Sequence, residues 1–284
     1  MICKELDKEF TDKADMFKAL KENKEDIINI KRSSIQKSCD KGSSVSAKSI
    51  DISKLGMTSK GIITDDNYYY IAVNTTNILD SHNDLHKDGI WNKTAKEQQG
   101  KNYLVTDHKM ELANVVGKKA DIKMFVATIP FSVLGKSYTG DTQALIYKIH
   151  KDKVLNGIGK EWLESGDEIE ASVRMQYVNI DLAMNSTEEG DESELKNYND
   201  NINTIANKAD FDSIDYFWIV TEAKNIGESS LVLMGSNDAT GVVNDNKSTQ
   251  PSNDTDKNEP SNDTQTNPKD LNEKAKIEML KKFI

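Results

Sequence analysis

The chain has 284 residues, with 37 Lys and Arg against 47 Asp and Glu, and a formal net charge of −10. That balance argues against nucleic acid as the main partner, because phosphate binding needs clustered Lys and Arg. Hydrophobic residues make up 36% and charged residues 30%, which suits one domain of ordinary size with appendages rather than a core along the whole length. No apolar run approaches the roughly 20 residues of a membrane helix, and the charged start from Lys4 predicts no signal peptide. A soluble intracellular protein with no membrane partner is expected. Cys3 and Cys39 show no spacing for metal or redox work, which fits a reducing compartment.

Residues 1–42 read as a charged N-terminal helical segment. Phe10, Met16, Phe17, Leu20, Ile27, Ile28 and Ile30 recur at helical spacing, a stripe able to dock on a domain or on another chain. Asp40 to Ser44 begins a loop, and the main body spans 62–243. Aromatic and β-branched runs predict strands at Tyr68–Val73, Asn102–Thr106, Ile122–Ile129, Ile169–Val178 and Phe217–Thr221. Thr142 to Ser165, with Leu145, Ile146, Ile149, Val154, Leu155 and Trp162, predicts helix with a break near Gly157 and Gly159, and places His150 on its surface. Gly166-Asp167 predicts a turn into the next strand. Residues 185–215 are polar and acidic and read as a surface insertion. Residues 244–270, where Pro251-Ser252-Asn253-Asp254-Thr255 returns as Pro260-Ser261-Asn262-Asp263-Thr264, read as a disordered linker. Residues 271–284 predict a short amphipathic helix that needs a partner surface. The expected class is α+β and strand-dominated, an antiparallel β-barrel flanked by helices.

Three segments carry candidate chemistry: Thr106-Asp107-His108-Lys109, Glu170-Ala171-Ser172-Val173-Arg174 and Glu228-Ser229-Ser230-Leu231-Val232. A hydroxyl, a base to take its proton and a carboxylate to fix the base's tautomer are the parts of a hydrolytic serine site. Each residue alone has a plainer reading. Ser172 would be a satisfied hydroxyl in a strand, His108 an exposed loop residue, and Glu228 a solvated turn carboxylate. No Gly-x-Ser-x-Gly surrounds Ser172, which excludes the nucleophile elbow of an α/β-hydrolase. A second constellation, Asp80, His82, Asp84 and His86, could ligate a divalent metal if extended; a capped polar turn is the plainer reading.

Set side by side, these segments resemble the tailed-phage prohead proteases, the serine enzymes of capsid maturation. Asn77 to Asp84 with Lys87-Asp88-Gly89-Ile90-Trp91 is similar to that family's Asp-rich turn. Leu104 to His108 followed by Val115-Val116-Gly117 is similar to its histidine strand, and Ile169 to Val173 to its serine strand. Glu228 to Val232 with Ser236-Asn237-Asp238-Ala239 is similar to its Glu-x-Ser-Leu-Val segment. The resemblance covers about residues 62–243 and implies a barrel of the herpesvirus-protease type. It implies Ser172 as nucleophile, His108 as general base and Glu228 as the orienting carboxylate, with no cofactor or metal. Its implied substrates and partners are the major capsid protein and a scaffold protein, in the procapsid interior within the host cytoplasm; a homo-oligomer is left open. The chain departs from the family pattern in three places. Arg174 stands two after the serine where Gly is usual, residues 185–215 lengthen the path to Glu228, and Gly235-Ser236 replaces a proline. The alternative is a catalytically inactive relative acting as a scaffold or internal head protein.

Overall fold

The structure, a computed structural model, describes residues 1–37, 67–165, 169–233 and 241–243. It opens with a small hairpin, β1 (Ile2–Cys3) and β2 (Lys8–Glu9), then helices α1 (Lys13–Glu22) and α2 (Lys24–Ser33) and the strand β3 (Gln36–Lys37). Asp12 starts α1 by accepting the Ala14 N–H at its free N-terminus. The apolar stripe then docks on the chain's own domain. Phe10, Met16, Phe17, Leu20, Ile27 and Ile28 are buried in the central core, while Ile30 is exposed. Among its described residues the segment is therefore helical at 13–22 and 24–33, and the first nine residues form the hairpin.

The main body contributes β4 (Tyr68–Thr75), β5 (Asp84–His86), α3 (Asn92–Glu97), β6 (Tyr103–Thr106), β7 (Val115–Gly117) and β8 (Ile122–Pro130). It continues with β9 (Asp141–His150), α4 (Gly157–Ser165), β10 (Glu170–Met184), α5 (Glu192–Asn201), β11 (Tyr216–Val232) and β12 (Gly241–Val243). These strands form two sheets. One runs β3-β10-β11-β6-β7, with β5 sharing an edge of β11 with β6; the other runs β12-β4-β9-β8. The architecture is mixed α/β and strand-rich.

Two expectations need correction. The first sheet is mixed rather than antiparallel throughout, because β11 runs parallel to both β5 and β6; the described residues show two sheets and no closed barrel, which leaves that expectation unconfirmed. Residue alternation identifies a strand but carries no information on its direction or neighbour. The stretch from Thr142 to His150 is strand, and helix begins only at Gly157. Ala144 to Tyr147 are buried consecutively, so both faces of β9 are covered and its apolar run lacks the alternation that marks a half-buried strand. His150 accordingly ends β9, where its ring meets the edge of Tyr68.

One core takes side chains from both sheets and both N-terminal helices, among them Ile71, Leu104, Tyr147, Val173, Trp218 and Leu20. A second cluster, with Tyr70, Ala72 and Ile146, covers the other face of β4 and β9. A third joins Leu85, Ala183 and Phe217 to Ile202 and Ile205. Residues 185–215 are thus more than a surface insertion: they bury anchors of their own and carry α5 against β10. The body start near Gly61, the turn at Gly166-Asp167, the linker 244–270 and the helix 271–284 lie outside the described residues.

Lys24 on α2 ties these parts together, with Nζ 2.8 Å from both Asp181 Oδ1 on β10 and Glu194 Oε1 on α5. Partial burial alone would raise the Asp181 carboxyl; the Lys24 ammonium and the Leu182 N–H outweigh it and hold the group below its usual range. A depressed carboxyl contributes stability that is fully present above its unfolded value and lost as pH falls through the folded one. The stability difference between wild type and Lys24→Ala should therefore be constant from neutrality down to about pH 4 and shrink below it. Urea denaturation at pH 7, 5 and 3 measures this, and an unchanged difference at pH 3 would refute the assignment.

Candidate active site

Ser172, His108 and Glu228 come from three adjacent strands. Strand β11 lies between β10 and β6, with Ser172 paired to Ser230 on one side and Leu231 paired to Thr106 on the other. Along β10, Ala171, Val173, Met175 and Tyr177 enter the core, so Ser172 and Arg174 share the opposite face. Glu228 and Ser230 share that face on β11.

His108 reaches the same place through a tight turn. Asp107 (φ +52°) and His108 (φ +54°) are both left-handed, and the Lys109 N–H closes the turn on Thr106 O at 3.0 Å. Two successive positive φ values define a type I′ turn. Asp and His tolerate this region better than most residues, though each still costs on the order of 1 kcal/mol or more. The turn is held against β11 at two points. The Asp107 N–H donates to Leu231 O at 3.0 Å, and the His108 N–H donates to Ser230 Oγ at 2.9 Å. The reversal brings the imidazole back over β11 instead of letting β6 run on past it.

The three side chains form one relay. His108 Nδ1 lies 2.9 and 3.2 Å from the two Glu228 oxygens, and Nε2 lies 2.8 Å from Ser172 Oγ. A carboxylate only accepts, so Nδ1 carries the proton and Nε2 presents its lone pair to the serine hydroxyl. Glu228 is fully buried and Ser172 is 2% exposed. Arg174 lies two residues beyond the serine, and its Nε is buried with no hydrogen-bond partner. These residues are 64 and 120 positions apart in the chain, so the arrangement is a product of the fold alone.

No protein-family model, curated protein or solved structure matches this chain. The reading of the site rests on its own geometry and on the motif resemblance.

The site also contains groups that sequence reasoning missed. Ser230 anchors the histidine turn, and Asn225, three residues before Glu228 on the same strand, donates to the Glu228 carbonyl. The available signal was Gly227: a glycine within a strand pattern marks a bulge, and its φ of +78° confirms one here.

The Asp80–His86 segment is a structural element with different partners. Asp80 Oδ1 accepts the N–H groups of His82 and Asp84, which makes the capped turn. Beyond the turn, Asp84 and His86 lie in β5 and are buried. Asp84 Oδ1 is 2.5 Å from Lys31 Nζ, and its Oδ2 accepts from Tyr177 Oη at 2.9 Å. His86 sits with its ring nitrogens 3.2 Å from Asn74 Oδ1 and 3.1 Å from Tyr177 Oη. Burial pushes its imidazole down to about 4, with the Lys31 charge adding to the effect and Asp84 opposing it. Burial and the Asp84 charge push Asp80 up to about 7. The donor atoms of Asp80, Asp84 and His86 face protein partners, and among the described residues no group of three or more metal-type ligands converges.

Lys31 holds this cluster together. Burial works against its charge, but Asp84 and Glu5 outweigh that and keep the ammonium above its usual value. Lys31→Ala would leave the Asp84 carboxylate buried without a cation. The expected loss is about 3–5 kcal/mol of folding stability, read from guanidinium or urea denaturation. A loss below about 1 kcal/mol would show that the ion pair is not the fastening described.

Proposed function

We propose that this protein is a serine endopeptidase whose nucleophile is Ser172, whose general base is His108 and whose orienting carboxylate is Glu228. One observation carries the reading: the continuous relay from Glu228 through both ring nitrogens of His108 to Ser172 Oγ, with its 2.9 and 2.8 Å contacts. Isolated serines, histidines and glutamates rarely meet in this order and at this spacing without a chemical use.

In this reading Ser172 Oγ attacks the carbonyl carbon of a peptide bond as its proton passes to His108 Nε2. The imidazolium, held by Glu228, then returns the proton to the leaving amine. A water molecule, activated by the same imidazole, releases the acyl group. Arg174 serves as the cationic donor on the nucleophile's face, offsetting charge on the tetrahedral oxygen. The substrate class comes from the motif resemblance: capsid and scaffold proteins cut inside an assembling procapsid, in the host cytoplasm. The herpesvirus-type barrel belongs to the same proposal, with the two sheets that share a core as its walls.

A second reading, an inactive scaffold relative, is favoured by the 2% exposure of Ser172. Intact-mass analysis of the major capsid protein, co-expressed with wild type or variants, separates the two. The enzyme reading predicts processing by the wild type and a loss of about 10⁴-fold or more in Ser172→Ala. Glu228→Gln should cost less, on the order of 10²–10⁴-fold, because a base remains in reach of the hydroxyl. Identical capsid-protein masses with wild type and Ser172→Ala, in particles that still assemble, would favour the scaffold.

A further inference from the structure

The ladder between β10 and β11 is interrupted where Glu228 sits. Strand β10 takes two steps from Val173 to Met175, while β11 takes four from Ser229 to Asn225. Ile226, Gly227 and Glu228 therefore all stand opposite Arg174 alone, and Gly227 supplies the left-handed φ of +78° that the protruding chain requires. An interrupted ladder leaves backbone carbonyls in need of donors, and here they lie in the protein interior.

The Asn225 side chain supplies those donors. It is 1% exposed and projects to the core side of the bulge. Its Nδ2 donates to Glu228 O at 2.9 Å and to Arg174 O at 3.2 Å, and lies 3.3 Å from Ser229 Oγ. Its Oδ1 accepts from Tyr147 Oη at 2.6 Å, a contact from the second sheet. Burial pushes the Tyr147 hydroxyl far up and the Glu228 charge adds to it, against a hydrogen bond with Ser229, so the phenol keeps the proton it donates to Asn225. Backbone carbonyls can only accept, so the Arg174 and Glu228 carbonyls fix which end of the amide is the NH₂, and the oxygen is left to accept from Tyr147.

We infer that Asn225 is a positioning residue for the proposed active site, a buried amide that locks the Glu228 bulge to the nucleophile strand, with Tyr147 holding its oxygen from the second sheet. The inference rests on the triad reading above. It assigns to Asn225 no contact with substrate: its effect passes through the aim of the Glu228 carboxylate at His108 Nδ1.

A fluorophosphonate, which acylates no peptide and needs no natural substrate, reads the nucleophile directly. Ser172 Oγ displaces fluoride at phosphorus, the serine proton passing to His108. The test measures the maximal labelling rate and the half-saturating reagent concentration for full-length wild type, Asn225→Ala, Asn225→Asp and the milder Tyr147→Phe. Each is assayed below its melting temperature, with the label located by mass. The expected result is a fall of tenfold or more in maximal rate for both Asn225 variants, and about two- to fivefold for Tyr147→Phe, with half-saturation unchanged. In a Glu228→Gln background the Asn225→Ala change should add less than twofold, because its route is already cut. A general loss of structure would instead slow labelling in both backgrounds. Unchanged rates, or equal slowing with and without Glu228, overturn the proposal alone. A wild type that never labels at Ser172 overturns the triad reading and this inference with it.

Discussion

Every backbone donor and acceptor of a buried strand must find a partner, and β11 draws strand partners on both edges. Along one edge it pairs with β10 on both sides of the bulge at Ile226–Glu228, while the other edge is shared by β5 and β6. That division organises the molecule. The β6 half brings His108 to Glu228 and Ser172. The β5 half brings Asp84 and His86 to Lys31 and Tyr177. Two histidines thus approach the same strand and take opposite parts, one in a relay that ends on a hydroxyl, the other sealed in the interior.

The sealed half explains why a strongly charged N-terminal segment belongs to the domain. Glu5 accepts from Trp218 Nε1 at 2.6 Å and from Tyr216 Oη at 2.7 Å, and Lys31 reaches Asp84. Charges this deep are costly unless paired and hydrogen-bonded. Glu5 and Lys31 belong to the N-terminal segment, and their partners to β11 and β5. The apolar stripe of α1 and α2 supplies the burial, and the ion pairs set where it docks.

Much of this was legible in the sequence, for physical reasons that differ by element. The strands at 68, 103, 122, 170 and 216 were readable because aromatic and β-branched residues fit a pleated surface. The extent of β11 was not, because Asn225, Gly227 and Glu228 look like a turn; the protruding residues are a bulge within one strand. Strand β9 was misread as helix because it is covered on both faces. His108, Ser172 and Glu228 were legible as residue types in order, but their meeting depends on a parallel β6–β11 pairing that no local pattern encodes. Asn225 was invisible because its role lies in its amide's reach to carbonyls of two strands.

The placement of Glu228 on the last long strand has a consequence for timing. A chain made from its N-terminus completes the serine strand and the histidine turn well before β11 exists. Among the described residues β10 and β6 share no strand pairing except through β11, and the pairings that join them are the slow, long-range kind. The carboxylate and the strand that aligns base with hydroxyl therefore arrive together, in one late step. A nascent or partly folded copy holds the serine and the histidine but not their alignment, so the relay exists only in a chain whose sheet is complete.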